Sequence, residues 1–191
     1  MTVVLITGGA RSGKSSFAER YAERSGTGGI YVATALRIDE EMERRIERHR
    51  QRRGETGFVW RTVEEPLLLP QRMAELSLEA AELPADRRIV LIDCLTIWMT
   101  NVLLPLENAH DAEERCLAEV DALIGALRNF PGLALLVSNE VGFGIVPETP
   151  LGRLFRDAAG RMNQRVAASA DQVFLVVSGI PVEMKSREYL L

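Results

Sequence analysis

Val3-Val4-Leu5-Ile6-Thr7-Gly8-Gly9-Ala10-Arg11-Ser12-Gly13-Lys14-Ser15 stands near the start of the chain and decides how the rest is read. Its second half fits G-x-x-x-x-G-K-[ST], the phosphate-binding P-loop. The context is the one that loop requires. An apolar run, Val3 to Ile6, reads as a buried strand, and a helical pattern with Phe17, Ala18, Tyr21 and Ala22 on one face follows. Glycines let backbone N–H groups close around phosphate oxygens, and the helix N-terminus adds positive potential. Lys14 is expected to reach the β- and γ-phosphates, and the Ser15 hydroxyl to ligate Mg²⁺. The stretch implies binding of a nucleoside triphosphate without saying what is done with it.

Outward from this loop, strands alternate with helices. Strands are expected over 3–7, 30–34, 58–62, 89–92, 133–137 and 173–177, and helices over 14–24, 39–53, 70–82, 95–104 and 111–129. Asp111, with Glu114 three residues on, reads as a capping box. Thr149-Pro150 supplies an N-cap and a first-turn proline for a further helix carrying Leu151, Leu154, Phe155, Ala158 and Met162. Val/Leu/Ile runs separated by helices imply an α/β fold, a mostly parallel sheet with helices on both faces.

The 191 residues, 47% of them hydrophobic and 26% charged, suit one packed domain, so residues 1–191 read as a single nucleotide-binding domain. A net charge of −4 and the lack of a basic patch with interleaved aromatics argue against a nucleic-acid partner. No apolar run approaches the ~20 residues of a membrane span. The strand begins too early to leave room for a signal peptide, and Cys94 and Cys116 are too few for a disulfide framework. A cytoplasmic setting is expected.

Asp93 follows the buried run Ile89-Val90-Leu91-Ile92. An acid there is placed for the Mg²⁺-associated carboxylate of P-loop proteins, or simply to cap a helix starting at Leu95. Within the charged helix over 39–53, Met42, Ile46 and His49 share a face, and the stripe runs into Arg50, Arg52 and Arg53. By pattern alone His49 reads as a residue at the edge of the core. Its neighbouring cations oppose protonation, so it also reads as a neutral imidazole nucleophile for a phosphorus centre. His110 reads as surface. The stretch from Val137 to Pro147 is either a substrate wall or a plain connection. Glu64, ending a strand, is a ribose or metal contact, or a solvated acid. Neither the Asn-Lys-x-Asp signature of switch GTPases nor the protein-kinase motif set is present.

Several blocks in order resemble one family. They are residues 7–15, Tyr31-Val32-Ala33-Thr34-Ala35, Asp39-Glu40-Glu41-Met42, Arg45-Ile46 with His49, and Trp60-Arg61-Thr62. Asn139-Glu140-Val141-Gly142, Gly144-Ile145-Val146-Pro147-Glu148, Phe155-Arg156-Asp157, Ala159-Gly160-Arg161, Asn163-Gln164 and Val176-Val177-Ser178-Gly179 continue it. The chain resembles the bifunctional adenosylcobinamide kinase / adenosylcobinamide-phosphate guanylyltransferases of cobalamin (vitamin B12) assembly. The resemblance implies a RecA-like P-loop fold, often a trimer, acting on adenosylcobinamide and its phosphate with ATP or GTP. It implies a GMP–histidine intermediate on His49. It makes Gly8, Gly9, Ala10, Arg11, Ser12, Gly13, Lys14 and Ser15 the nucleotide phosphate site. It adds Ala33, Thr34, Ala35, Arg50, Gln51, Arg52, Arg53, Glu64 and Asp93 as GTP contacts. The alternatives left by the residues alone are a P-loop small-molecule kinase without a covalent intermediate and a non-enzymatic nucleotide switch.

Overall fold

The structure, a computed structural model, describes residues 1–35 and 57–189. The expected helix over 39–53, with His49, Arg50, Gln51, Arg52 and Arg53, lies outside the described residues.

The seven described strands form one sheet. They are β1 (Thr2–Thr7), β2 (Gly28–Ala33), β3 (Val59–Glu64), β4 (Ile89–Asp93), β5 (Leu133–Val137), β6 (Gln172–Val177) and β7 (Ile180–Glu183). Their order is β3-β2-β4-β5-β1-β6-β7. All neighbours are parallel except β6 and β7. The described α-helices are α1 (Lys14–Ser25), α2 (Leu69–Ala81), α3 (Leu95–Leu103), α4 (Ala112–Leu127) and α5 (Pro150–Ser169).

Period-two alternation on the strands sorts the core into two layers. Val3, Leu5, Val90, Ile92, Ala134 and Leu136 pack with residues of α2 to α5. Val4, Ile6, Leu91, Leu135 and Val137 face the other way, toward Ala18 and Ala22 of α1. Helices therefore cover both faces, as the continuous apolar strands require. Each fully buried aliphatic side chain in these layers contributes about 1.5–3 kcal/mol of transfer free energy.

Two local expectations change. Asp111 makes no side-chain cap bond, because its φ of −104° and ψ of 17° lie outside the extended conformation an N-cap adopts. Thr149 does cap α5, accepting from the Gly152 N–H at 3.1 Å. The second change is β7, an antiparallel edge strand beyond the expected last one. Ser178 (φ 51°) and Gly179 (φ 81°) both have positive φ, which gives the tight two-residue turn that joins β6 to β7.

Candidate active site

The P-loop leaves β1 and enters α1 with the geometry its sequence predicts. Gly8 has φ +156°, and a Cβ there would lie 2.5 Å from the Val176 carbonyl oxygen and 2.6 Å from Ser12 Oγ. Gly13 has φ +94° and is the N-cap of α1, with no side chain closing the helix end. The first-turn N–H groups therefore keep their ability to bind an anion. The loop holds its own shape through Ser12 N–H donating to the Gly9 carbonyl at 3.2 Å. Lys14, nearly buried, curls back and donates from Nζ to the Gly9 carbonyl at 3.1 Å. Its ammonium lies over the loop rather than in solvent. The loop is also braced from outside. Gly179 N–H donates to the Ser12 carbonyl at 2.8 Å, and Glu140 N–H to the Gly8 carbonyl at 3.2 Å.

Strand register brings the other described site residues to the same end of the sheet. Ala33 lies beside Glu64 on one side and Asp93 on the other, and Asp93 lies beside Val137. Ligands of open α/β sheets bind at these carboxyl ends, near the point where strand order reverses. Glu64 is exposed at this edge. Asp93 does not cap the helix after it, since Cys94 is the N-cap residue of α3 and no side chain caps that end. Instead Asp93 Oδ2 accepts the Tyr31 hydroxyl at 3.0 Å.

Thr34 is fully buried, and its hydroxyl both donates to the Cys94 carbonyl and accepts the Cys94 N–H, each at 2.8 Å. The Thr34 carbonyl accepts from Asn101 Nδ2 at 2.9 Å. Thr34 thus clamps β2 to the start of α3 and leaves its neighbours Ala33 and Ala35 at the edge. Burial, reinforced by the Asp93 carboxylate, pushes the Cys94 thiol up to about 11, so it stays protonated and is no nucleophile at neutral pH.

An oxygen-only donor set fits a hard cation such as Mg²⁺, which binds through one or two protein groups plus substrate phosphates. Ser15 at the first turn of α1 and Asp93 at the end of β4 are oxygen donors of that kind. Among the described residues no group of three or more His, Cys, Asp or Glu side chains gathers to hold a metal by itself. A cation at this end of the sheet would therefore need nucleotide oxygens to complete its shell.

Sequence reasoning missed Tyr31, which orients Asp93, and a polar cluster beneath the segment after β5. Ser138 Oγ donates to Asn163 Oδ1 at 2.7 Å, and Asn139 N–H donates to Thr96 Oγ1 at 2.7 Å. Short polar residues directly after the apolar run of β5 were the available signal. His110 is exposed, as expected.

The sequence model of the cobinamide kinase / cobinamide phosphate guanyltransferase family matches residues 4–184, which include every element of this site. The chain belongs to that family. It is similar to the bifunctional adenosylcobalamin biosynthesis protein CobU of Escherichia coli, at 46% identity over 96% of this chain and 99% of that protein. It is also similar to the bifunctional adenosylcobalamin biosynthesis protein CobP of Pseudomonas aeruginosa, at 45% identity over 95% and 96%. The Salmonella typhimurium CobU is 42% identical over 96% of this chain and 99% of its own length. Among solved structures the RadB recombinase superposes with a TM-score of 0.52 at 13% identity, covering 91% of this chain and 73% of that one. That likeness shows the fold alone, a mostly parallel α/β sheet covered by helices, for this cobinamide kinase / guanyltransferase family member.

Proposed function

We propose that the chain phosphorylates the aminopropanol hydroxyl of adenosylcobinamide with ATP or GTP. It then transfers GMP from GTP to the new phosphate, giving adenosylcobinamide-GDP and pyrophosphate in cobalamin assembly. The observation that carries this reading is the family match over residues 4–184, on a chain whose P-loop and Asp93 lie at the carboxyl ends of strands in one sheet.

In both steps residues 8–15 hold the triphosphate through backbone N–H groups and Lys14, which stabilise charge as it develops on the departing phosphate. Ser15 and Asp93 hold Mg²⁺, with Tyr31 fixing the Asp93 carboxylate. Bound there, the cation neutralises phosphate charge and screens the leaving group. Ala33, Ala35 and Glu64 border the nucleotide at the neighbouring strand ends, and Thr34 keeps that border in place.

For guanylyl transfer the reading assigns His49 as the group that attacks the α-phosphorus of GTP. A P–N bond forms, the bond to the β-phosphate bridge oxygen breaks, and pyrophosphate leaves. The cobinamide phosphate then displaces the imidazole, so two easier steps replace one difficult one. Arg50, Gln51, Arg52 and Arg53 extend the nucleotide contacts. For phosphorylation, attack falls on the γ-phosphorus, and catalysis rests on positioning and charge stabilisation.

Residues 1–191 act as one domain on this reading, supported by the single sheet that collects every described strand. The homotrimer that the family resemblance implies has a candidate contact surface in the exposed apolar residues of the β6–β7 hairpin, Val177, Ile180 and Val182. A cytoplasmic setting is supported by two free, buried cysteines. No helix among the described residues is long and apolar enough to cross a membrane.

The test supplies adenosylcobinamide, ATP, GTP and Mg²⁺ and reads products by mass. Stepwise appearance of the phosphate and then adenosylcobinamide-GDP, with one pyrophosphate per guanylyl group, is expected. Phosphate alone would mark a plain small-molecule kinase, and no product would mark a nucleotide-binding module.

A further inference from the structure

We propose that Glu140 is the carboxylate that accepts the hydroxyl proton in the phosphorylation step, and that Asn163 positions it. The inference rests on the kinase reading above and assigns the proton acceptor that the family resemblance leaves open.

Topology puts Glu140 beside the P-loop. Strand β5 lies between β1, which runs into the P-loop, and β4, which ends at Asp93. Val137 is registered against Ile6 on one side and Asp93 on the other. The chain leaving β5 therefore emerges between the P-loop and the second carboxylate. Two backbone bonds tie it there: Ser138 N–H to the Ile6 carbonyl at 3.0 Å and Glu140 N–H to the Gly8 carbonyl at 3.2 Å.

A buried amide then aims the side chain. Asn163, on α5, is only 7% exposed. Burying an amide is costly unless its hydrogen bonds are made, and here they are. Its Oδ1 accepts the Ser138 hydroxyl at 2.7 Å, while Nδ2 donates to the Asn139 carbonyl at 3.1 Å and to Glu140 Oε1 at 3.2 Å. The amide has one workable orientation, because an ionised carboxylate and a carbonyl only accept. Ser138 is itself held, its Oγ 3.2 Å from Thr96 Oγ1. The cluster fixes Oε1 of Glu140, and Oε2 makes no hydrogen bond among the described residues. Asp93, the carboxylate at the end of neighbouring β4, is engaged by Tyr31 and by the proposed cation, and Glu64 stands two strands further away, at the end of β3.

The acceptor side fits as well. The chain just beyond Glu140 carries Phe143, Ile145 and Val146, which are 79%, 95% and 57% exposed. They offer an apolar surface to a large acceptor beside the carboxylate that would receive its proton. As the hydroxyl oxygen bonds to the γ-phosphorus, the bond from that phosphorus to the β-bridging oxygen breaks. The nucleoside diphosphate leaves with the bonding electrons, and the hydroxyl proton passes to Glu140. Guanylyl transfer has a phosphate oxyanion as its acceptor, with no proton to lose. Glu140 therefore serves one step and not the other.

The two steps are assayed separately in the full-length protein, phosphorylation with adenosylcobinamide and ATP, guanylyl transfer with preformed adenosylcobinamide phosphate and GTP. Glu140→Gln should lower the phosphorylation kcat by about 10²–10⁴-fold, the usual worth of a proton acceptor, and lower guanylyl transfer only a few-fold. Glu140→Asp, which keeps the carboxylate, should retain more phosphorylation than Glu140→Gln. Asn163→Ala should lower the phosphorylation kcat while the KM for ATP holds, with guanylyl transfer again the less affected. A wild-type chain that phosphorylates nothing would overturn the function reading and this assignment with it. A wild type active in both steps, whose Glu140→Gln variant keeps phosphorylation or loses both steps in proportion, would overturn the assignment alone.

Discussion

Tyr31, in β2, donates its hydroxyl to Oδ2 of Asp93, at the end of the adjacent strand β4, across 3.0 Å. The two residues are not in register, since Tyr31 pairs with Leu91 and Ala33 with Asp93. The phenol reaches along the sheet to the carboxylate, while its ring packs edge-on against Trp60 at 6.0 Å. One side chain thus joins the packed layer to the proposed cation site.

Tyr31→Phe separates those roles. The ring and its contact with Trp60 stay, so stability should fall by only about 0.5–1.5 kcal/mol, the net worth of one hydrogen bond. The Asp93 carboxylate loses its orienting donor. Titrating Mg²⁺ against both activities should show a raised Mg²⁺ requirement, with nucleotide affinity in the absence of metal unchanged.

Gly8 and Gly9 should respond differently to the same small change. A Cβ at Gly8 meets the Val176 carbonyl and Ser12 Oγ at a φ of +156°, whereas a Cβ at Gly9 meets nothing within 4 Å. Gly8→Ala should cost about 1–3 kcal/mol in denaturant unfolding and abolish triphosphate binding, because the loop must deform. Gly9→Ala should unfold within about 0.5 kcal/mol of the wild type.

Cys94 should carry a pH signature. Its folded thiol is pushed up to about 11 from an ordinary 9.0, by burial first and by Asp93 second. The folded state binds that proton more tightly than the unfolded chain. The stabilisation is complete below pH 9 and is lost as pH rises toward 11. Equilibrium unfolding across that window should show stability falling, and falling less in Cys94→Ala. At pH 8 an alkylating reagent should leave Cys94 unmodified until denaturant is added.

The sequence made the P-loop legible because its chemistry is local: glycines, lysine and serine at fixed spacing between a strand and a helix. The parallel sheet was legible from runs such as Ile89 to Ile92, whose apolar residues leave no face for water. The strand β7 was not, because Pro181 interrupts its pattern. The Ser178-Gly179 pair was the turn signal that would have revealed it. Asp111 failed as a cap for a different reason. Cap propensity presumes an extended backbone, and the turn preceding α4 denies it one. The Asn163–Glu140 contact was invisible, since residues 23 positions apart meet only because α5 packs back against the segment that follows β5. His49 and its arginines were legible as a pattern, yet their role comes from the family resemblance rather than from the described geometry.

The central claim is the covalent route through His49. Incubation with GTP labelled at the α-phosphorus tests it most directly. The account predicts label on the protein that is acid-labile and alkali-stable, absent in His49→Ala, and discharged by adenosylcobinamide phosphate into adenosylcobinamide-GDP. A His49→Ala variant that carries out guanylyl transfer at the wild-type rate would contradict it.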